Sequence, residues 1–171
     1  AAPTATPIPR ISISGTKVWV DEDNVHGMRP TDITVQLYAD GVLLSAKPTW
    51  RNKDTSEWTY TFAGLPEKTD GGAIIEYTVR ELPVEGYESS VEETTITNKL
   101  IEQEPKAYVK LSGKHTWNDN DNVKGLRPDA IIVRLFRDGV EIERRVVTAD
   151  DDWRYSFGTL PADDGYGHEY V

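Results

Sequence analysis

Two acidic stretches hold the densest array of potential ligands in the chain, Asp21-Glu-Asp-Asn24 and Asp119-Asn-Asp-Asn122. Carboxylate and amide oxygens at such short intervals suit calcium. Neither stretch, however, has the glycine and terminal glutamate at the spacing of an EF-hand loop. A solvated turn is the better account, and no metal is expected. The histidines, His26, His115 and His168, are scattered without the spacing of a zinc site. Five tryptophans would suit stacking on a carbohydrate. Trp19, Trp58, Trp117 and Trp153 recur at equivalent strand positions, which points to core packing and leaves Trp50 as the candidate for a ligand surface. No Gly-x-Ser-x-Gly elbow, phosphate loop or Ser/His/Asp arrangement is present, so neither an enzyme acting on an outside substrate nor a cofactor is expected.

The acidic stretches belong to a segment that the chain contains twice. Gly15-Thr-Lys-Val-Trp-Val-Asp-Glu-Asp-Asn-Val-His-Gly-Met-Arg-Pro30 returns as Gly113-Lys-His-Thr-Trp-Asn-Asp-Asn-Asp-Asn-Val-Lys-Gly-Leu-Arg-Pro128, with 117 − 19 = 98 and 128 − 30 = 98. A repeat of that length is a whole small domain, so the 171 residues read as two copies of one module. The net charge of −10 argues against nucleic acid and against anionic membrane surfaces, which call for a basic face. No stretch reads as a transmembrane run or a signal peptide, and the sequence is expected to be a soluble piece, already processed or recombinantly trimmed. The absence of cysteine leaves the compartment open.

Residues 1–10 carry three prolines and no apolar period, and read as a linker or tail. Residues 11–20 alternate as a strand, and the acidic loop follows. Ile33, Val35 and Leu37 share one face of a second strand, closed by the hairpin signal Ala39-Asp40-Gly41. Residues 43–50 suit the returning strand. Trp58, Tyr60 and Phe62 share a face of the next strand, which Gly64-Leu65-Pro66 is expected to stop. Ile75, Tyr77, Val79 and Glu81 share another face, and residues 92–100 make the last strand of the module. The second copy repeats the order through Ile131, Val133, Leu135, then Trp153, Tyr155, Phe157. From Trp58 the offset shortens, 153 − 58 = 95, and pairing Tyr170 with Tyr77 shortens it again, 170 − 77 = 93. Short strands at roughly ten-residue spacing indicate antiparallel β-sandwiches.

Six motifs follow in order: Gly-Thr-Lys-Val-Trp, Asp-Glu-Asp-Asn…Gly-x-Arg-Pro, Ile-Thr-Val-x-Leu-Tyr, Trp-x-Tyr-x-Phe-x-x-Leu-Pro, Glu-Tyr-Thr-Val-x-Glu-x-x-x-x-Gly-Tyr and the closing Ile-Thr-Asn. Together they resemble the Cna B-type domain, the repeat module of Gram-positive surface adhesins and pilins. The resemblance implies an all-β fold of two tandem inverse immunoglobulin-like sandwiches, over residues 11–100 and 107–171 with a linker at 101–106. Many members of that family carry an intramolecular isopeptide bond between a Lys on the first strand and an Asn or Asp on the last, promoted by a buried acid. Carried over, the amine is Lys17, the acyl partner Asn98 and the promoting acid Glu81.

The local pattern agrees with these roles. Lys17 lies two residues before Trp19, and Glu81 lies two beyond Val79, so both should point inward, whereas Glu76 should face the other way. Burial disfavours charge on either group. A neutral amine is a nucleophile, and a protonated carboxyl can polarise the Asn amide and pass a proton to departing ammonia. Folding would hold the three together for a single, autocatalytic turnover.

In the second copy the position two before Trp117 is His115, and Lys114 should face outward unless the strand bulges. With Val171 at or near the position of Val79, that copy lacks its C-terminal strand and the counterparts of Glu81 and Asn98. The chain is therefore expected to be a fragment of a longer repeat protein, or to have its second module completed by another chain. The resemblance implies an extracellular, cell-wall-attached structural stalk whose partners are adjacent repeat modules. The alternative is an adhesin domain whose loops contact a host matrix protein or glycan.

Overall fold

The computed structural model describes residues 7–171. Most of the tail expected over residues 1–10 lies outside these residues, and Arg10 already belongs to a strand. The chain divides into a first unit ending at Glu102 and a second unit, Gln103–Val171. Among the described residues the regular structure is β strand, apart from short 3-10 turns at Glu22–Asn24 and Ala149–Asp151.

The first unit contains β1 (Arg10–Val20), β2 (Val35–Ala39), β3 (Val42–Leu43), β4 (Thr49–Arg51), β5 (Glu57–Pro66), β6 (Tyr77–Glu81), β7 (Tyr87–Glu92) and β8 (Thr95–Leu100). They form a five-stranded sheet in the order β4-β5-β1-β8-β7 and a three-stranded sheet in the order β3-β2-β6. Alternation decides which side chains meet between the sheets. Val35, Leu37 and Val79 from the smaller sheet pack with Tyr60, Phe62 and Ile96 from the larger. A second cluster of Trp19, Trp58 and Tyr87 lies alongside, with edge-to-face rings about 5 Å apart. Trp50 is half-buried: its ring packs 5.8 Å from Trp58 and 5.5 Å from Tyr60, and it also lines an open pocket with Thr34, Gln36 and Lys47.

Several expected elements take a different form, each for a local reason. The strand expected over residues 43–50 is two strands in two sheets, because Pro48 has no N–H for a ladder and the chain crosses over before Thr49. Gly64 does not stop β5. At φ 72° it forms a bulge opposite Ile11 and Ile13, and the strand runs on to Pro66. The last strand expected over residues 92–100 is β8, which begins only at Thr95; Glu92 ends β7 and the chain turns between them at Glu93, which has φ 53°. Asp40 and Gly41, both at positive φ, make the expected tight hairpin turn.

The second unit contains β9 (Tyr108–Lys114), β10 (Ala130–Arg137), β11 (Val140–Thr148) and β12 (Arg154–Pro161), paired as β9/β12 and β10/β11. It reproduces the first unit in detail. Gly113 faces the Tyr155 hydroxyl as Gly15 faces that of Tyr60, each so closely that a Cβ would collide with it. β12 also shifts register beside a positive-φ glycine, Gly158, one position earlier in the repeat than Gly64 in β5. Where Pro48 splits the first unit's strand, Val146 lets β11 continue.

Backbone bonds also fix the late register. Asp40 N donates to Glu76 O and Ile75 N to Glu67 O, while Asp138 N donates to Val171 O and Tyr170 N to Ala162 O. Bridges Lys68↔Ile74 and Asp163↔Glu169 agree. The offset stays at 171 − 76 = 95, so Val171 occupies the place of Glu76 rather than Val79. The Glu-Tyr pair shared by residues 76–77 and 169–170 had suggested the wrong alignment.

Candidate functional site

The repeated acidic loops are held by a hydrogen-bond code that the sequence reading missed. Asp21 accepts from the backbone N–H of Asn24 at 3.1 Å, from Arg29 Nε at 2.9 Å and Nη2 at 2.5 Å, and from the Tyr87 hydroxyl at 3.0 Å. Asn24 Oδ1 accepts from the backbone N–H of Arg29 at 2.8 Å. This lets Glu22, Asp23 and Asn24 lie in succession at φ 52°, 56° and 60°, a conformation that non-glycine residues enter only when their surroundings require it. Burial works to raise the Asp21 carboxyl, but the bonds from Arg29 and Tyr87 outweigh it and hold it below the ordinary carboxylate range. In the second unit Asp119, Asn122 and Arg127 repeat the arrangement, with Arg127 Nη2 at 2.6 Å from Asp119 Oδ1. The signal was present in the sequence: the three residue types recur at the common offset of 98. These carboxylates are committed to arginine, and among the described residues no group of three or more His, Asp or Glu is placed to hold a metal ion.

Beside the Trp19 cluster the first unit buries three polar side chains from three strands. Lys17 in β1 and Asn98 in β8 are both 0% exposed. The Glu81 side chain, from the end of β6, is 0% exposed as well, whereas Glu76 is exposed. Strand pairing brings them together. β1 and β8 are adjacent and parallel, with Lys17 opposite Ile96 and Trp19 opposite Asn98, so all four share the inner face. β6 crosses from the other sheet, and its Glu81 Oε1 stands 3.7 Å from Lys17 Nζ.

The amine lies 3.9 Å from the centre of the Trp19 ring and donates to Val18 O at 3.2 Å. Burial pulls its pKa down from 10.5 to about 8, against the opposing pull of Glu81. Glu81 Oε1 and both amide atoms of Asn98 are buried without a hydrogen-bond partner. The other buried orphans among the described residues are the indole N–H groups of Trp19 and Trp117. An unsatisfied buried polar group costs about 1–3 kcal/mol, and three such atoms on neighbouring side chains are a concentrated expense.

The first strand of the second unit carries a different residue at the lysine's position. His115 stands at the position of Lys17 and packs edge-on against Trp117, 4.5 Å between centroids. Lys114 points outward, 39% exposed, and pairs with Asp152 at 2.9 Å.

The model of the Cna protein B-type domain matches residues 13–99 and again residues 111–171. Over 163 residues the chain is 37% identical to a collagen adhesin of Staphylococcus aureus; the match covers 94% of this chain and about 14% of that protein's length. Among solved structures, a single B repeat unit of the collagen-binding surface protein of S. aureus is 31% identical, with a TM-score of 0.48 over 95% of this chain and 82% of that one. A structure of two B repeat units of the same protein is 30% identical, with a TM-score of 0.49 over 95% of this chain and 42% of that one. The family match over most of the sequence and the 37% identical relative show the membership: this chain belongs to the Cna protein B-type domain family, whose members are non-enzymatic β-sandwich repeats of bacterial surface proteins.

Proposed function

We propose that the chain is a load-bearing repeat module of a cell-surface adhesin, two tandem sandwiches of which the first is closed by an isopeptide bond between Lys17 and Asn98. The observation that carries this reading is the cluster of Lys17, Glu81 and Asn98, fully buried with the reacting atoms of Asn98 and Glu81 unpartnered. Such a cluster is costly as a resting arrangement and well suited to a reaction.

The chemistry balances within the three side chains. The proton of the ammonium passes to Glu81, leaving a neutral amine. Lys17 Nζ attacks Asn98 Cγ while the protonated carboxyl polarises the amide oxygen. The Nζ–Cγ bond forms and the Cγ–Nδ2 bond breaks. A proton from Nζ reaches Nδ2 by way of the carboxyl, and nitrogen leaves as ammonia. No oxidant is involved, which suits a chain without cysteine.

The position of the bond gives it a mechanical meaning. β1 and β8 are the first and last strands of the unit and run parallel side by side, so tension applied through its two ends shears them against each other. A covalent link between them carries that load and shields residues 18–97. Single-molecule pulling on the full chain tests the function: the first unit should give no unfolding extension beyond its short unlinked ends, while Glu81→Ala should restore the full extension. A first unit that unravels completely in the unmodified chain would contradict a load-bearing role. The loops hold fixed, internally bonded conformations, and contact with a host matrix protein remains the second reading because the matched S. aureus protein is named a collagen adhesin.

A further inference from the structure

Outside the three reactants, Ser89 touches the one that must hold and return a proton. Its Oγ donates to Glu81 Oε2 at 2.9 Å. In the β7/β8 ladder it stands directly opposite Asn98, and residues directly opposite in an antiparallel pair share a face. β7 is the end strand of the five-stranded sheet and β6 the end strand of the three-stranded one. The hydrogen bond therefore ties the rim of one sheet to the rim of the other, beside the buried cluster. Ser89 itself is exposed, whereas the carboxyl it holds is not.

The two oxygens of Glu81 are thereby made unequal. Oε2 has a donor; Oε1 has none and is the atom 3.7 Å from Lys17 Nζ. The terminal torsion of a Glu side chain is broad and roughly two-fold, so an unrestrained carboxyl would turn freely about it. We propose that Ser89 is a positioning residue for isopeptide formation, its hydroxyl fixing Oε2 so that Oε1 is the oxygen presented to Lys17 and Asn98. The inference rests on the crosslink reading and adds the element that orients its acid. Ser89 exchanges no bond in the reaction. The travelling proton leaves Nζ, resides on Oε1 and ends on ammonia, while the O–H of Ser89 stays intact.

The test compares Ser89→Thr with Ser89→Val, nearly equal in shape and both favoured in strands, but differing in the hydroxyl. Each full-length chain is unfolded in denaturant before it has reacted, diluted to start folding, and sampled for intact mass over time. Ser89→Val should lose ammonia about tenfold more slowly than the unmodified chain, the effect of one hydrogen bond, and Ser89→Thr should stay within about twofold of it. Tryptophan fluorescence should show that both fold alike. Equal rates for the two variants, or equal slowing in both, would overturn the proposal, since only packing would then matter. An unmodified chain that keeps its full mass would remove the reaction itself, and is told apart because no rate is left to compare.

Discussion

The two units share a loop and differ in a core. Asp21, Asn24 and Arg29 recur as Asp119, Asn122 and Arg127 with nearly the same distances, yet at the position of Lys17 stands His115, packed edge-on against Trp117. The loop code depends on residues eight apart in sequence, so each copy of the segment carries it complete. The buried polar cluster depends on β1, β6 and β8, which are brought together by topology alone. A short-range device travels with the repeat, whereas the buried cluster needs an amine at the position of Lys17, where the second unit has His115.

The largest effect expected from this contrast is on the stability of the first unit. A covalent link closing 98 − 17 = 81 positions stabilises by about 4–5 kcal/mol through the unfolded chain, in analogy with a disulfide. Asn98→Ala should lose an amount of that order in denaturant unfolding of the first unit. It should also acquire a pH dependence that the unmodified chain lacks. With the amine free, the folded value of about 8 lies below the unfolded 10.5, so between these pH values the unfolded state binds more protons and stability rises with pH, by up to about 3 kcal/mol. In the crosslinked chain that nitrogen is an amide and does not titrate. Parallel pH profiles for the two proteins would break the contrast.

The loop code sharpens the comparison on a smaller scale. The Asp21 side chain is 1% exposed and also serves Tyr87, whereas the Asp119 side chain is 29% exposed. Arg29→Ala leaves a buried carboxylate with its charged partner gone and should cost the first unit about 3 kcal/mol. Arg127→Ala leaves Asp119 with access to water, and its effect on the second unit should be distinctly smaller. Equal losses in separate unfolding measurements would mean that burial does not govern the strength of the pair.

Much of this organisation was legible in the residues themselves. Period-two alternation identified the inner faces of β2, β5 and β6, including Glu81 beyond Val79, because a half-buried strand leaves no other way to hide its apolar side chains. Lys17 was legible from its place two residues before Trp19. The β7/β8 hairpin was not, since its turn at Glu93 lacks the glycine or asparagine that usually marks positive φ. Nor could alternation reveal that β1 and β8 lie side by side in parallel, a long-range pairing with no local signature. The Glu-Tyr pair at 169–170 misled the register because identical residue types outweighed the position of the Asp138 hairpin turn, to which Val171 is bonded. Trp50, unmatched in the second copy, suggested a surface residue; it is half-buried, packing one side on Trp58 and Tyr60 from β4 at the edge of the sheet.

The most direct measurement is the intact mass of the purified chain, followed by tandem mass spectrometry of its digest. The unmodified chain should fall short of its sequence mass by one ammonia and yield a branched peptide joining Lys17 to Asn98, while Glu81→Ala should return the sequence mass. An unmodified chain at its full sequence mass, with Lys17 and Asn98 recovered in separate linear peptides, would contradict the crosslink and leave the buried cluster a structural arrangement without chemistry.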